Sequence, residues 1–169
     1  MNMTVNFRAK FVQRTNLPDS REVSFVEINP KSSADVEAMK KLSNEWYDAN
    51  YAKNIYEDVV NLSSKRPRIA SRVFALTSQK ENFKNIESRQ ILGIAEMTAV
   101  NNRTTPYLEY LQVDPLMKKS GVGTSILNVL KKMHDSIELN SAVSSVGFYK
   151  KNGFELVNPA RLLCKWVKK

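Results

Sequence analysis

The sequence predicts a mixed α/β domain on a largely antiparallel twisted sheet, with about six to seven strands and about four helices. Two observations carry this. Three strand-like runs between Arg72 and Val113 follow one another with short polar connections, the pattern of an antiparallel meander. Beyond Pro115 the apolar period lengthens from two residues to that of an amphipathic helix, and short strands and helices then alternate to the end.

The chain has 169 residues and is 42% hydrophobic, enough for one ordinary core without disulfides or metals. We read residues 21–169 as one domain, preceded by a basic segment, 1–20, that is either a mobile leader or an edge-pairing strand. That segment shares its acid-poor character with transit peptides, but its low Ser content fits a plain tail better. The single cysteine, Cys164, has no partner for a disulfide, and no Cys or His pair stands at metal-ligand spacing, so no metal site is expected. With no run of about 18 apolar residues and no apolar signal region, a cytoplasmic protein that does not enter the membrane is the expectation. The net charge of +9 draws phosphate-bearing ligands of every kind and cannot choose among them.

The elements follow in order. Glu22 to Ile28 alternates β-branched and aromatic residues and stops at Asn29-Pro30, as a strand closed by a turn does. Ser32 or Ser33 caps a helix whose core face is Val36, Met39, Leu42 and Trp46. A shorter helix is expected over Ile55–Leu62, ended by Pro67. Arg72–Ser78, Gln90–Val100 and Pro106–Val113 are the meander strands. Val122, Ile126, Val129 or Leu130, and Met133 line one face of the next helix, with Asn128, Lys131 and Lys132 on its solvated face. Ile137–Asn140 reads as a strand and Ala142–Lys151 as a helix stopped by Asn152-Gly153. Phe154–Val157 and Arg161–Val167 are the last strands.

The chemistry concentrates where a strand stops at Pro115, a basic loop follows, and Gly121-Val122-Gly123 opens a helix. Glycines let backbone N–H groups approach a ligand, the free N–H groups of a helix start attract an anion, and Lys118 and Lys119 add counter-charge. A pyrophosphate suits such a place. Gly-x-Gly alone is a weak signal, since tight packing explains it equally; the loop is neither a Walker A motif nor a full dinucleotide fingerprint.

Val113-Asp114-Pro115, then Lys118-Lys119-Ser120-Gly121-Val122-Gly123, then Phe148-Tyr149-Lys150-Lys151-Asn152-Gly153-Phe154 stand in the order and separation of the GNAT superfamily signature, and Gln90 to Phe154 resembles that superfamily of acyl-CoA N-acyltransferases. Two departures are visible. Lys118 replaces the usual Arg or Gln and lacks the planar fork of Arg. Ala142 replaces an Asn common six residues before the aromatic-Tyr pair, with Asn140 and Ser141 nearby.

The resemblance implies a GNAT-like fold, acetyl-CoA as co-substrate and an amine-bearing acceptor, and it leaves a homodimer open. It implies that Leu111, Gln112 and Val113 splay from the neighbouring strand and pair with the pantetheine arm. Donors from Lys119 or Ser120 through Gly121, Val122, Gly123 and Thr124 hold the pyrophosphate, with Lys118, Asn140, Phe148 and Lys151 as further cofactor contacts. Tyr149 is the expected general acid toward the departing thiolate. An amine of pKa about 10.4 must lose a proton before attack. Glu109, which shares strand parity with Tyr107, Leu111 and Val113, is the candidate base, and Glu96 is its rival.

His134 is expected at a helix end without a catalytic role, and Cys164 as a packing residue. Trp46, Tyr47, Tyr51 and Tyr56 either line an acceptor pocket, as the resemblance suggests, or pack as a core face. A coenzyme A-binding protein without catalysis is the main alternative, and a basic RNA-binding domain the other. The latter lacks a recognition motif and concentrated basic-aromatic interleaving, which argues against nucleic acid.

Overall fold

The structure, a computed structural model, describes residues 9–46, 69–81, 83, 85–100 and 105–169. Its strands are β1 (Lys10–Asn16), β2 (Glu22–Glu27), β3 (Ile69–Thr77), β4 (Ile91–Val100), β5 (Tyr107–Val113), β6 (Ser136–Asn140), β7 (Glu155–Asn158) and β8 (Leu163–Val167). They form one eight-stranded sheet in the order β1-β2-β3-β4-β5-β6-β8-β7. The described helices are α1 (Ser33–Glu45), α2 (Val122–Met133) and α3 (Val146–Lys151).

The sheet is larger than the expected six to seven strands because residues 10–16 of the basic N-terminal segment pair antiparallel with β2. The turn between them is closed by Leu17 and Ser20 backbone bonds and by Asp19, whose carboxylate accepts from both the backbone and the guanidinium of Arg21. The helix expected over residues 55–62 lies outside the described residues, as do Tyr47, Tyr51 and Tyr56. The helix expected over Ala142–Lys151 divides into a 3-10 turn, Val143–Ser145, followed by α3. Two serines and Gly147 at its start are poor helix formers, and Ser145 sits at φ −104° and ψ −7°, off the helical values.

Strand alternation sends apolar side chains to both faces of the sheet, which makes two cores. Val23, Phe25, Phe74, Leu76 and Ala95 pack with Val122, Ile126, Val129 and Leu130 of α2. Val26, Val73, Ala75 and Ile94 face the other way, against Met39, Leu42 and Trp46 of α1. Trp46 is therefore a core residue, 5% exposed. Each fully buried Val, Leu, Ile, Phe or Met among these contributes roughly 1.5–3 kcal/mol, the alanines less.

Ser32 caps α1 by accepting the Asp35 N–H, as its position before the apolar repeat predicts. Asp35 is wholly buried, and its carboxylate accepts the Asn29 N–H at 2.8 Å. Lys131 departs from the solvated face expected of it. Its ammonium donates to the Asn152 carbonyl and stands over the rings of Phe154 and Trp166, 5.4 Å and 5.6 Å from their centroids. Burial lowers its pKa. A flexible four-carbon stem lets lysine cover apolar surface while its head finds a carbonyl.

Candidate functional site

All neighbouring strands pair antiparallel except β5 and β6, which run parallel and share one register pair, Tyr107↔Glu138. Past that pair the two strands separate. A cleft of about 650 Å³ opens between them, walled by β5 on one side and by Asn140, Ala142 and the turn leading to α3 on the other. The side of β5 away from β4 thus faces the cleft rather than a strand over Leu111–Val113.

The β4–β5 register sets which side chains reach this cleft. Glu96 lies opposite Tyr110 and Met97 opposite Leu108, so Glu109 is the extra residue of a β-bulge. This corrects the parity expected between Tyr107, Glu109, Leu111 and Val113. Leu108 and Leu111 both pack on the α2 side, while Tyr110 packs on the α1 side. The inserted residue reverses the alternation. Glu109 is exposed and lines the cleft, whereas Glu96 is 1% exposed and stands beside Tyr110 across the ladder.

Leu111, Gln112, Val113, Lys118, Asn140 and Tyr149 also line the cleft. The Oε1 atom of Gln112 is buried without a hydrogen-bond partner among the described residues. Tyr149 is held edge-on between Phe148 and Phe154, with ring centroids 5.1 Å and 5.6 Å away. Burial, with smaller contributions from the nearby Cys164 and Tyr107, pushes its phenol up to about 12.

Asn140 lines the cleft with its side chain already engaged. Its amide oxygen accepts from the Tyr107 hydroxyl at 2.6 Å, and its amide nitrogen donates to the Arg161 carbonyl at 2.6 Å.

The glycine loop continues from the cleft at Lys118. Lys119 and Gly121 both have left-handed backbones, with φ of 64° and 85°. Pro18 in the β1–β2 turn fills the space where a Cβ on Gly121 would stand. Gly121 caps α2 without a side chain to offer, so the N–H groups of Val122, Gly123 and Thr124 find no side-chain acceptor at the cap. Alternating backbone of this kind, leading into a helix start, gathers donors toward an anion. Ser120 is spent locally, its N–H and hydroxyl both directed to the Met117 carbonyl. Phe148 packs on Gly123, and Lys151 is exposed at the end of α3; neither lines the cleft.

Sequence reading missed Tyr110, Pro115, Ala142, Ser144 and Ser145 as cleft residues. Tyr110 was hidden by the bulge, which no local signal marks. Ala142, Ser144 and Ser145 fall in the segment expected to be helical, where no local signal marks a cleft wall.

His134 caps the C-terminus of α2, but burial and the neighbouring Arg72 guanidinium lower its pKa, which favours the neutral imidazole. Cys164 is fully buried, which raises its thiol pKa and fits a packing role. Among the described residues, no group of three His, Cys, Asp or Glu side chains is placed to hold a metal ion.

Residues 47–162, more than half of the chain, match the family described as "Acetyltransferase (GNAT) domain". No curated protein matches the chain in sequence. Among solved structures, it is similar to an acetyltransferase from Thermus thermophilus, with 15% identity, a TM-score of 0.59, and 86% of this chain and 96% of that one covered. It is also similar to Tetrahymena GCN5, at 16% identity and TM-score 0.57, over 86% of this chain and 96% of that one. The PaiA N-acetyltransferase of Thermoplasma acidophilum, solved in complex with coenzyme A, matches at 16% identity and TM-score 0.52, over 86% and 98%. At these identities the three show a shared fold.

Proposed function

Because the chain belongs to the GNAT acetyltransferase family, we propose that it moves an acetyl group from acetyl-CoA to the amine of an acceptor by direct attack in a ternary complex. The observation that carries this reading is the separation of β5 from β6 after one register pair, beside a helix start whose N–H groups have no cap. A strand side facing a cleft suits the amides of a pantetheine arm, and uncapped N–H groups suit a diphosphate. The coenzyme A bound to the PaiA relative supports the same occupant here.

When bound, acetyl-CoA supplies an activated thioester. The chain's own residues do the rest. Val122, Gly123 and Thr124 bind the diphosphate through backbone N–H groups, with Lys118 and Lys119 adding charge. Leu111, Gln112 and Val113 align the arm, and a backbone N–H near Leu111 polarises the carbonyl on which negative charge develops. Orientation of the two reactants supplies much of the rate.

Tyr149 lines the cleft with a phenol that stays protonated at neutral pH. Full transfer from a group at about 12 to a thiolate whose acid has a pKa of about 8.5 is uphill. Its general-acid role is therefore hydrogen-bond donation to the developing thiolate, with solvent or the acceptor amine completing the protonation. Glu109, exposed on the cleft wall, or Glu96, buried beside Tyr110, takes the amine proton. Asp48, Glu57 and Asp58, carboxylates of a kind that attracts an amine, lie outside the described residues.

No described helix is long and apolar enough to cross a membrane.

The test is thermal stabilisation by acetyl-CoA, followed by thiol release with a panel of amines. Stabilisation with amine-dependent release supports the enzyme. Stabilisation without release by any amine favours the non-catalytic binder, and absence of stabilisation ends the reading.

A further inference from the structure

We propose that Tyr107 is a positioning residue for the cleft: its hydroxyl fixes where β5 and β6 part, and through Asn140 it sets the wall against which the acyl-CoA arm lies. The proposal rests on the acetyltransferase reading above.

When two parallel strands separate, each backbone group that loses its partner must find another, in the protein or in water, and a partner in the protein fixes its position. The ladder here ends at Tyr107↔Glu138, with the Glu138 N–H still donating to the Pro106 carbonyl at 3.0 Å. Two residues further along β6, the Asn140 N–H would look for a carbonyl on β5. It donates instead to the Tyr107 hydroxyl, at 3.0 Å. The same hydroxyl donates to the Asn140 amide oxygen at 2.6 Å. One side chain thus satisfies both a backbone donor and a side-chain acceptor of the departing strand.

The hold continues outward. The Asn140 amide nitrogen donates to the Arg161 carbonyl, and the Ser141 N–H donates to the Leu162 carbonyl, which tie the end of β6 to the loop before β8. Asn140 lines the cleft and Tyr107 does not. Tyr107 therefore acts on a ligand through Asn140 and the β6 end. This also reassigns Asn140: with both ends of its amide engaged, it serves as a fixed wall.

A residue of this kind governs affinity rather than chemistry. Tyr107→Phe keeps the ring and removes the two hydroxyl bonds to Asn140. The expected result is a KM for acetyl-CoA at least fivefold higher, with kcat changed less than twofold. A purely structural role would move different quantities, because a smaller folded fraction lowers the apparent kcat and leaves KM alone.

Asn140→Ala, at an exposed position that threatens the fold less, should raise KM in the same way. The double variant should be no worse than the more affected single one, since both changes cut one linkage. Unchanged KM in Tyr107→Phe, or fully additive effects in the double variant, overturns the proposal in a wild type that binds acetyl-CoA. If the wild type has no affinity for acetyl-CoA, the acetyltransferase reading fails first and takes this one with it.

Discussion

The Phe148 ring touches Gly123 so closely that its Cζ lies 3.0 Å from where a Cβ on that glycine would stand. The two residues belong to two separate sequence motifs, and their contact is where α2 meets α3. A third neighbour, the Val113 side chain at 3.6 Å from the same point, joins β5 to the contact. The glycine spacing thus serves packing, whatever it adds to the phosphate approach proposed above.

Gly123→Ala sets two effects against each other. Alanine gains about 1 kcal/mol in helix propensity, while overpacking an aromatic contact costs typically 1–3 kcal/mol. The net expectation is a loss of about 1 kcal/mol by urea unfolding, accompanied by weaker acetyl-CoA binding as Phe148 is pushed toward Tyr149.

Gly121→Ala should be worse. The left-handed backbone at φ 85° costs a non-glycine residue about 1–2 kcal/mol, and the new methyl collides with Pro18. We expect at least 2 kcal/mol of destabilisation. Gly147→Ala is the control, since nothing stands within 4 Å of its Cβ position and its backbone is helical. It should be neutral or stabilising by up to about 1 kcal/mol.

Tyr149→Phe should lower kcat at saturating acetyl-CoA by about tenfold to a hundredfold, the worth of one hydrogen bond to a charged group. With the wild-type phenol at about 12, Tyr149 itself contributes no titration between pH 6 and 10. A falling limb in that window that disappears in Tyr149→Phe would contradict the assignment.

The two carboxylates are separated by their pH–rate profiles. Loss of the basic residue from the reaction lowers kcat about a hundredfold and flattens the ascending limb. Glu109→Gln and Glu96→Gln, measured with one amine, should divide so that one variant shows both effects and the other neither.

Asp35 gives a stability prediction. Burial raises its pKa from 3.8 to about 6, against the opposing hydrogen bonds from Asn29 and Ser32. The folded state then binds the proton more tightly than the unfolded state, so stability associated with this group is present below pH 3.8 and is lost as the pH rises through about 6. At pH 7 the cost is at most about 3 kcal/mol. Asp35→Asn keeps an acceptor for the Asn29 N–H and removes the titration. The stability of the variant minus that of wild type should increase between pH 4 and 7, by urea unfolding; a difference independent of pH would refute it.

Some of the local structure could be read before any coordinates. Gly121 to Thr124 announced a helix start because glycine spacing is a local feature, and Ser32 before the Val36-to-Trp46 repeat announced α1 for the same reason. Glu109 shows the limit. Alternation predicted its face correctly only if the strand stayed regular, and a single inserted residue opposite the Glu96–Met97 step reversed the pattern. Lys131 is expected to be solvated because it shares a helix face with Asn128 and Lys132, yet the aromatic rings it covers come from β8 and from the residue just before β7.

The sequence by itself determined the fold class, the family signature, the helix caps and the phosphate-loop candidates, because each is written in short-range spacing and in the backbone freedom of particular residues. Tertiary structure alone decided where β5 leaves β6, that Tyr107 closes that parting through Asn140, and which of the polar residues face one cleft. Strand order and register join residues tens of positions apart, and their energies depend on groups that no local window contains.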